Sequence, residues 1–184
     1  MMAVSEPDLV SLKRIRAVAM DVDGVLTDGG LWWGPNGEEW KRFSFSDIMG
    51  LSLARRAGLQ LALISGENSP LVDRYATKMH IAHVFKGCRD KATALREFAS
   101  AAQIVLDDIC FMGDDVNDLP AMQIAGFSAA PAGAAREVLS AVKFISTNTG
   151  GQGAVRELVE AILSARGISV PDLFLQPRDS GPTR

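Results

Sequence analysis

Cysteine is scarce in this chain, which holds two, Cys88 and Cys110. Isolated as they are, they form neither a disulfide framework nor a metal site. Cys110, inside an apolar run, reads as a small core hydrophobe, and a reducing, cytoplasmic setting is the expectation. Histidine is equally sparse, His80 and His83 only. They straddle a helix-to-strand junction without acidic or cysteine partners, which makes them surface or structural residues. No run approaches the ~18 uncharged apolar residues of a membrane helix. Met1 to Leu12 lacks both a basic start and an apolar block, so no signal peptide is expected. A net charge of −3 with scattered Lys and Arg leaves no basic stripe, which argues against nucleic acid as a partner. What is present is ordinary for a globular enzyme: 184 residues, 47% hydrophobic and 22% charged, one domain's worth with room for a sizeable core.

The chain is organised around Asp21-Val22-Asp23-Gly24-Val25-Leu26-Thr27-Asp28-Gly29. It follows the apolar run Ile15 to Met20, a buried strand by its β-branched content. Two carboxylates two apart on a strand point to opposite faces. At a strand's end, where Gly24 breaks the pairing, both can turn into one crevice. Ligands of open α/β sheets sit at that end. Acids converging in an apolar crevice repel each other, so one pKa should rise. One can then serve as nucleophile and metal ligand, the other as general acid. The bland alternative for the pair is a solvated Asx turn.

Two further strand ends and one helix start carry chemistry. Leu59 to Ile64 runs into Ser65-Gly66, Lys91 opens the helical run Lys91 to Ala102, and Ile109 to Met112 runs into Gly113-Asp114-Asp115-Val116-Asn117-Asp118. Between the first two motifs, two β-prone runs around Gly34-Pro35-Asn36-Gly37 predict a hairpin, a flap over about 29–45. It carries Trp32, Trp33 and Trp40, which either pack on the chain's own core or form a subunit interface. Ser46-Asp47 is expected to cap a helix ending at Gly58, and Ser69-Pro70 to start the next, leading to a strand Ala82 to Phe85. A helix Leu119 to Ala125, strands Phe127 to Ala129 and Phe144 to Ile145, a helix near Ala134 to Val142 and an amphipathic helix Ala154 to Arg166 complete the alternation. Residues 167–184 form a partly disordered tail in which Leu173-Phe174-Leu175 could dock. The whole predicts a doubly wound parallel sheet.

In order and on these elements, DVDGVLTDG, Ser65-Gly66, Lys91 and GDDVND resemble the four motifs of the haloacid dehalogenase superfamily of phosphotransferases. The resemblance implies that Asp21 attacks phosphorus to form an aspartyl-phosphate and that Asp23 serves as acid, then base. It also implies Mg²⁺ held by Asp21, the Asp23 carbonyl and Asp114, with Ser65, Gly66 and Lys91 on the phosphate. Asp115 and Asp118 would stand behind the metal, orienting its waters or Lys91. For Asp118 a helix N-cap is an equal alternative.

Only 43 residues separate Asp21 from Ser65, and 25 separate Ser65 from Lys91, so neither interval has room for a cap domain. This plan, with Gly150-Gly151-Gln152-Gly153-Ala154-Val155-Arg156-Glu157, resembles the tetrameric phosphatases of 2-keto-3-deoxy sugar acids. That implies a homotetramer in which hairpins join and a neighbour completes each site. It also makes Arg156 a candidate substrate or interface residue, with an exposed helix Arg as the alternative. The octulosonate enzymes typically read Ser/Thr-Gly-Arg at the second motif, where this chain reads Ser65-Gly66-Glu67. Glu67 with Lys78 is similar to the nononate type, which favours 2-keto-3-deoxynononate 9-phosphate as substrate over 3-deoxy-D-manno-octulosonate 8-phosphate. Eleven residues of helix span ~16 Å, so Glu67 and Lys78 would serve one site only from different subunits, and two free surface charges remain the alternative. A non-catalytic module that aids assembly is the competing class; the complete set Asp21, Asp23, Ser65, Lys91 and Asp114 argues against it.

Overall fold

A computed structural model describes residues 6–175. Helix α1 (Glu6–Arg14) leads into β1 (Ala17–Met20), and the hairpin β2 (Trp32–Trp33) and β3 (Glu39–Trp40) follows. Then come α2 (Phe45–Arg56), β4 (Gln60–Ile64), α3 (Pro70–Met79), β5 (His83–Phe85), α4 (Lys91–Ala102) and β6 (Ile109–Met112). The chain continues through α5 (Leu119–Ile124), β7 (Phe127–Ala130), α6 (Arg136–Leu139), β8 (Phe144–Ile145), α7 (Ala154–Ala165) and α8 (Asp172–Leu175). Six strands form one parallel sheet in the order β5-β4-β1-β6-β7-β8. From β1 the chain winds outward to β4 and β5, then returns to place β6 on β1's other side. The strand order therefore reverses between β1 and β6, where open α/β sheets bind ligands.

Alternation along the strands divides the core. Val18, Met20, Leu61, Leu63, Cys110 and Met112 face α2, α3 and α7, with Leu12 of α1 packed among them. Ala17, Ala19, Ala62, Ile64, Ile109 and Phe111 face α4, α5 and Val138 of α6. Burial on both faces explains why these strands read as continuous apolar runs. Among the described residues, no helix is long and apolar enough to cross a membrane.

Several expectations need correction. Helix α1 was not foreseen, because Leu12 is its one fully buried apolar side chain while Leu9 and Val10 are exposed. The N-cap of α2 is Ser44, whose hydroxyl accepts the Ser46 N–H at 3.1 Å, not Ser46-Asp47. Asp47 instead turns its fully buried carboxylate onto the N-terminus of α7, accepting N–H groups of Gly153, Val155 and Arg156 at 3.0–3.2 Å. Ser69 does cap α3 through the Leu71 N–H. The hairpin forms with Trp32 opposite Trp40, and all three Trp are exposed at 54–73% rather than packed on the core. His80 ends α3 in the left-handed conformation, and His83 packs edge-on against Phe98. Leu173 packs against the core, and Arg56 both donates to its carbonyl and lies 4.2 Å from the centre of the Phe174 ring, so that part of the tail is docked. The expected disordered tip, 176–184, lies outside the described residues.

Candidate active site

Asp21 extends the β1 ladder by one residue, its N–H donating to the Met112 carbonyl at 2.9 Å. One carboxylate oxygen accepts the Val22 N–H at 2.7 Å and the other meets Lys91 Nζ at 2.7 Å. Lys91 is delivered by the first turn of α4, which Asp90 caps through the Ala92 and Thr93 N–H groups. Its side chain is 1% exposed, and its ammonium is shared with Asp118 Oδ1 at 2.6 Å. The other oxygen of Asp118 accepts the N–H groups of Asp114 and Asp115, at 2.9 and 3.3 Å. Asp118 thus clamps the loop after β6 to Lys91, in a capping box with Asp115. Of the two readings raised for it, orientation of the lysine is what the structure shows. The N-cap of the short helical turn is Asp115, with Asp118 as its third residue, and Asp118 makes no side-chain cap bond at the start of α5.

Asp114 lies against the backbone of Gly24, where φ is +80° and a Cβ would stand 2.0 Å from the carboxylate oxygen. One oxygen from each of Asp21, Asp114 and Asp118 falls within 4.8 Å of the others. Such crowding shows in the titration. Burial first, then the charge of Asp118, pushes the Asp21 carboxyl up to about 6. Burial and then Asp21 push Asp114 to about 7. The expected rise is therefore present on Asp21, but the charged neighbour behind it is Asp118 rather than Asp23. Burial works to lower the Lys91 pKa, yet Asp21 and Asp118 outweigh it and the ammonium is held above its usual value. Three crowded hard oxygen donors, with the Asp21 and Asp114 carboxyls raised, suit a divalent cation, which would relieve the repulsion.

Asp23 turns to a second lysine. Both its carboxylate oxygens lie 2.8 Å from Lys41 Nζ, a residue of the hairpin's return arm. No sequence signal marked Lys41, which looks like half of a solvated Lys-Arg pair. Ser65 follows β4, is 1% exposed, and accepts the Glu67 N–H on its hydroxyl at 3.1 Å. Gly66 and Glu67 are exposed beside it. Lys78 stands exposed at the far end of α3, its ammonium 5.6 Å from the centre of the Phe45 ring. Arg156 is in the first turn of α7, and its guanidinium pairs with Glu160 at 2.7 Å. The fold brings Asp21, Lys91, Asp114 and Asp118 into one cluster. Arg156 is engaged by its own helix instead.

A family model for haloacid dehalogenase-like hydrolases matches residues 39–158. The chain belongs to that family. It is 39% identical over 158 residues to the 3-deoxy-D-manno-octulosonate 8-phosphate phosphatase of Haemophilus influenzae, covering 86% of this chain and 88% of that one. A crystal structure of the Moraxella catarrhalis 3-deoxy-D-manno-octulosonate 8-phosphate phosphatase, in complex with magnesium ion, phosphate ion and KDO, superposes with a TM-score of 0.86. Identity there is 38%, with 91% of this chain and 95% of that one covered. The cobalt-bound Haemophilus influenzae enzyme gives 0.86 at 36% identity, covering 90% and 99%. The protein is accordingly a haloacid dehalogenase-like phosphatase, an enzyme class that works with a divalent metal. The reading as a non-catalytic module falls.

Proposed function

We propose that this phosphatase hydrolyses 3-deoxy-D-manno-octulosonate 8-phosphate with Mg²⁺, through an aspartyl-phosphate on Asp21. The observation that carries the substrate is the Moraxella relative, whose crystal structure contains magnesium, phosphate and KDO. The nine-carbon alternative rests on Glu67 and Lys78 alone. Neither the named relatives nor any contact of these two exposed side chains speaks for it.

Asp21 Oδ2 attacks phosphorus while Asp23 gives a proton to the departing sugar oxygen. Asp23 then takes a proton from the water that attacks the phosphoryl-aspartate, which releases phosphate and restores both acids. Lys91, Ser65 and the Gly66 N–H hold the equatorial oxygens. Asp21, the Asp23 carbonyl and Asp114 would hold Mg²⁺, which when bound neutralises charge between carboxylates and phosphoryl group. Asp118 keeps Lys91 and the 113–115 backbone in place for this. With only a hairpin, α2 and the core strand β4 between Asp21 and Ser65, and α3 and β5 between Ser65 and Lys91, closure of the site falls to a second copy of the chain. The exposed Trp32, Trp33 and Trp40 face fits that homotetramer.

Steady-state phosphate release from the two sugar acid phosphates, measured side by side with Mg²⁺, tests the substrate. The eight-carbon ester should give the higher kcat/KM; a preference for the nine-carbon ester would restore Glu67 and Lys78 as its readers. Light scattering tests the assembly, and a fully active monomer at micromolar concentration would refute it.

A further inference from the structure

Two lysines stand over two acids in this site, and the chemistry above employs only Lys91. Lys41 comes from the return arm of the hairpin. A lysine in such a place normally keeps its ammonium in water while its stem lies on apolar surface. Here the side chain is 4% exposed and the ammonium contacts both oxygens of Asp23 at 2.8 Å. Among the described residues, Lys41 is the one side chain that donates to Asp23. Drawing an ammonium out of water is costly unless the pairing geometry is good, so the contact is specific rather than incidental.

The neighbours of Lys41 fix the arm that carries it. Arg42 Nε meets Asp28 at 3.1 Å, and its Nη2 donates to the Gly151 carbonyl at 3.3 Å. Phe43 pairs with Thr27 in an isolated bridge and stacks on Tyr75 with centroids 4.1 Å apart. Three consecutive residues thus pin the hairpin's return arm to the loop that follows Asp21. The sheet and α4 position Asp21; the hairpin positions Asp23.

We infer that Lys41 is the positioning residue for Asp23, holding its carboxylate on the leaving-group side of Asp21 so that the hairpin sets where the proton is delivered. This rests on the reading of Asp23 as acid and base. The test compares two aromatic phosphates, p-nitrophenyl phosphate and benzyl phosphate, whose leaving alkoxides differ greatly in their need for a proton. Because kcat/KM stops at formation of the phosphoryl-aspartate, it isolates the acid step from the hydrolysis that both substrates share. Asp23→Asn should lower kcat/KM for benzyl phosphate by about 100-fold or more and for p-nitrophenyl phosphate far less. Lys41→Met should repeat that pattern at about ten-fold on benzyl phosphate, with less than about three-fold on p-nitrophenyl phosphate. Lys41→Arg should restore most of the loss, and the double variant Asp23→Asn with Lys41→Met should be no slower than Asp23→Asn alone. Lys41→Gln is judged on the same ratio if Lys41→Met does not fold. Equal losses on the two substrates, or losses that multiply in the double variant, would mean a merely structural lysine and overturn the inference. Leaving-group dependence in Asp23→Asn with none in Lys41→Met overturns the inference alone. Its absence from Asp23→Asn overturns the reading of Asp23, and the role of Lys41 with it.

Discussion

Gly150 is far from Asp21 in sequence, yet its backbone is packed directly beneath the loop that follows that residue. A Cβ at position 150 would stand 1.8 Å from the Gly24 carbonyl oxygen, 2.5 Å from its carbon and 2.8 Å from the Thr27 carbonyl oxygen. Every one of these is a backbone atom, so no side chain can rotate out of the way. To reach even a 3.0 Å contact, one backbone must retreat by about 1.2 Å or more, and such overpacking typically costs about 1–3 kcal/mol. For a chain of this size that lowers Tm by about 2–12 °C, which leaves the protein folded at assay temperature. The catalytic effect should be larger. The retreating segment includes Gly24, next to Asp23 and against the Asp114 carboxylate, and a misplacement of about 1 Å costs about 100-fold in rate. Gly150→Ala should therefore lower Mg²⁺-dependent kcat/KM by about 100-fold on either sugar acid phosphate or p-nitrophenyl phosphate. Gly133→Ala is the control, since its Cβ meets only the Thr149 side chain, at an ordinary 3.6 Å from Cγ2 and 4.0 Å from Cβ. It should be neutral in both assays. Gly150→Ala with activity within about two-fold of the parent would refute the claim that the Gly150-Gly151 loop sets the position of the acids.

Metal affinity should depend on pH in a specific window. With Asp21 held at about 6 and Asp114 at about 7, a divalent cation must displace protons below neutrality. Mg²⁺ affinity, read by calorimetry, should be flat above pH ~7.5, fall up to about ten-fold per unit between 7 and 6, and fall more steeply below; a flat profile to pH 5.5 would refute it. The metal-free protein should show the opposite trend in stability. Folded pKa values above the unfolded ~4 mean the folded state binds more protons, so stability falls as pH rises from ~4 through 7, as chemical denaturation at several pH values will show. Asp47→Ala removes the acceptor of three N–H groups at the buried start of α7. Burial already holds that carboxyl above its usual range, so part of its desolvation cost vanishes with it. A net loss of about 2–3 kcal/mol, or about 4–12 °C in Tm by calorimetry, is expected, and a shift under about 2 °C would contradict it.

The sheet was legible where an apolar run meets a clear stop. Ile109 to Met112, buried on both faces, and the half-buried edge strand Phe144 to Ile145 read with their observed bounds because apolar runs there end at Gly113 and Ser146. Helix Lys91 to Ala102 was equally plain, opening after the capping Asp90. Asp21, Asp114, Asp118 and Lys91 were legible because each lies in the segment after a strand or opens a helix, where chain order alone predicts convergence. Asp47 and Lys41 were not. Asp47 acts on a helix 106 residues away, and from sequence a Ser-Asp pair before a helix can only suggest the local cap. Lys41 meets Asp23 only once the hairpin folds back, an event fixed by Phe43 stacking on Tyr75, a residue of another element. Composition likewise could not say whether three Trp cover the chain's own core or a surface. The answer depends on where a two-residue strand pair projects.

That projection has a mechanical consequence. An isolated two-stranded hairpin is marginal in water, and here five contacts at its base hold it: Lys41 to Asp23, Arg42 to Asp28 and to Gly151, Phe43 to Thr27, and Phe43 to Tyr75. Three of the five end on the loop that carries Asp23. Whatever packs on the Trp32, Trp33 and Trp40 face restrains the hairpin, and through the same three contacts it restrains that loop. Lys91 is exempt, because it stands on the first turn of a twelve-residue helix packed against the sheet. Loss of a partner at the Trp face should therefore weaken proton delivery at Asp23 while leaving the phosphate side of the site, Asp21 with Lys91 and Asp118, in its geometry.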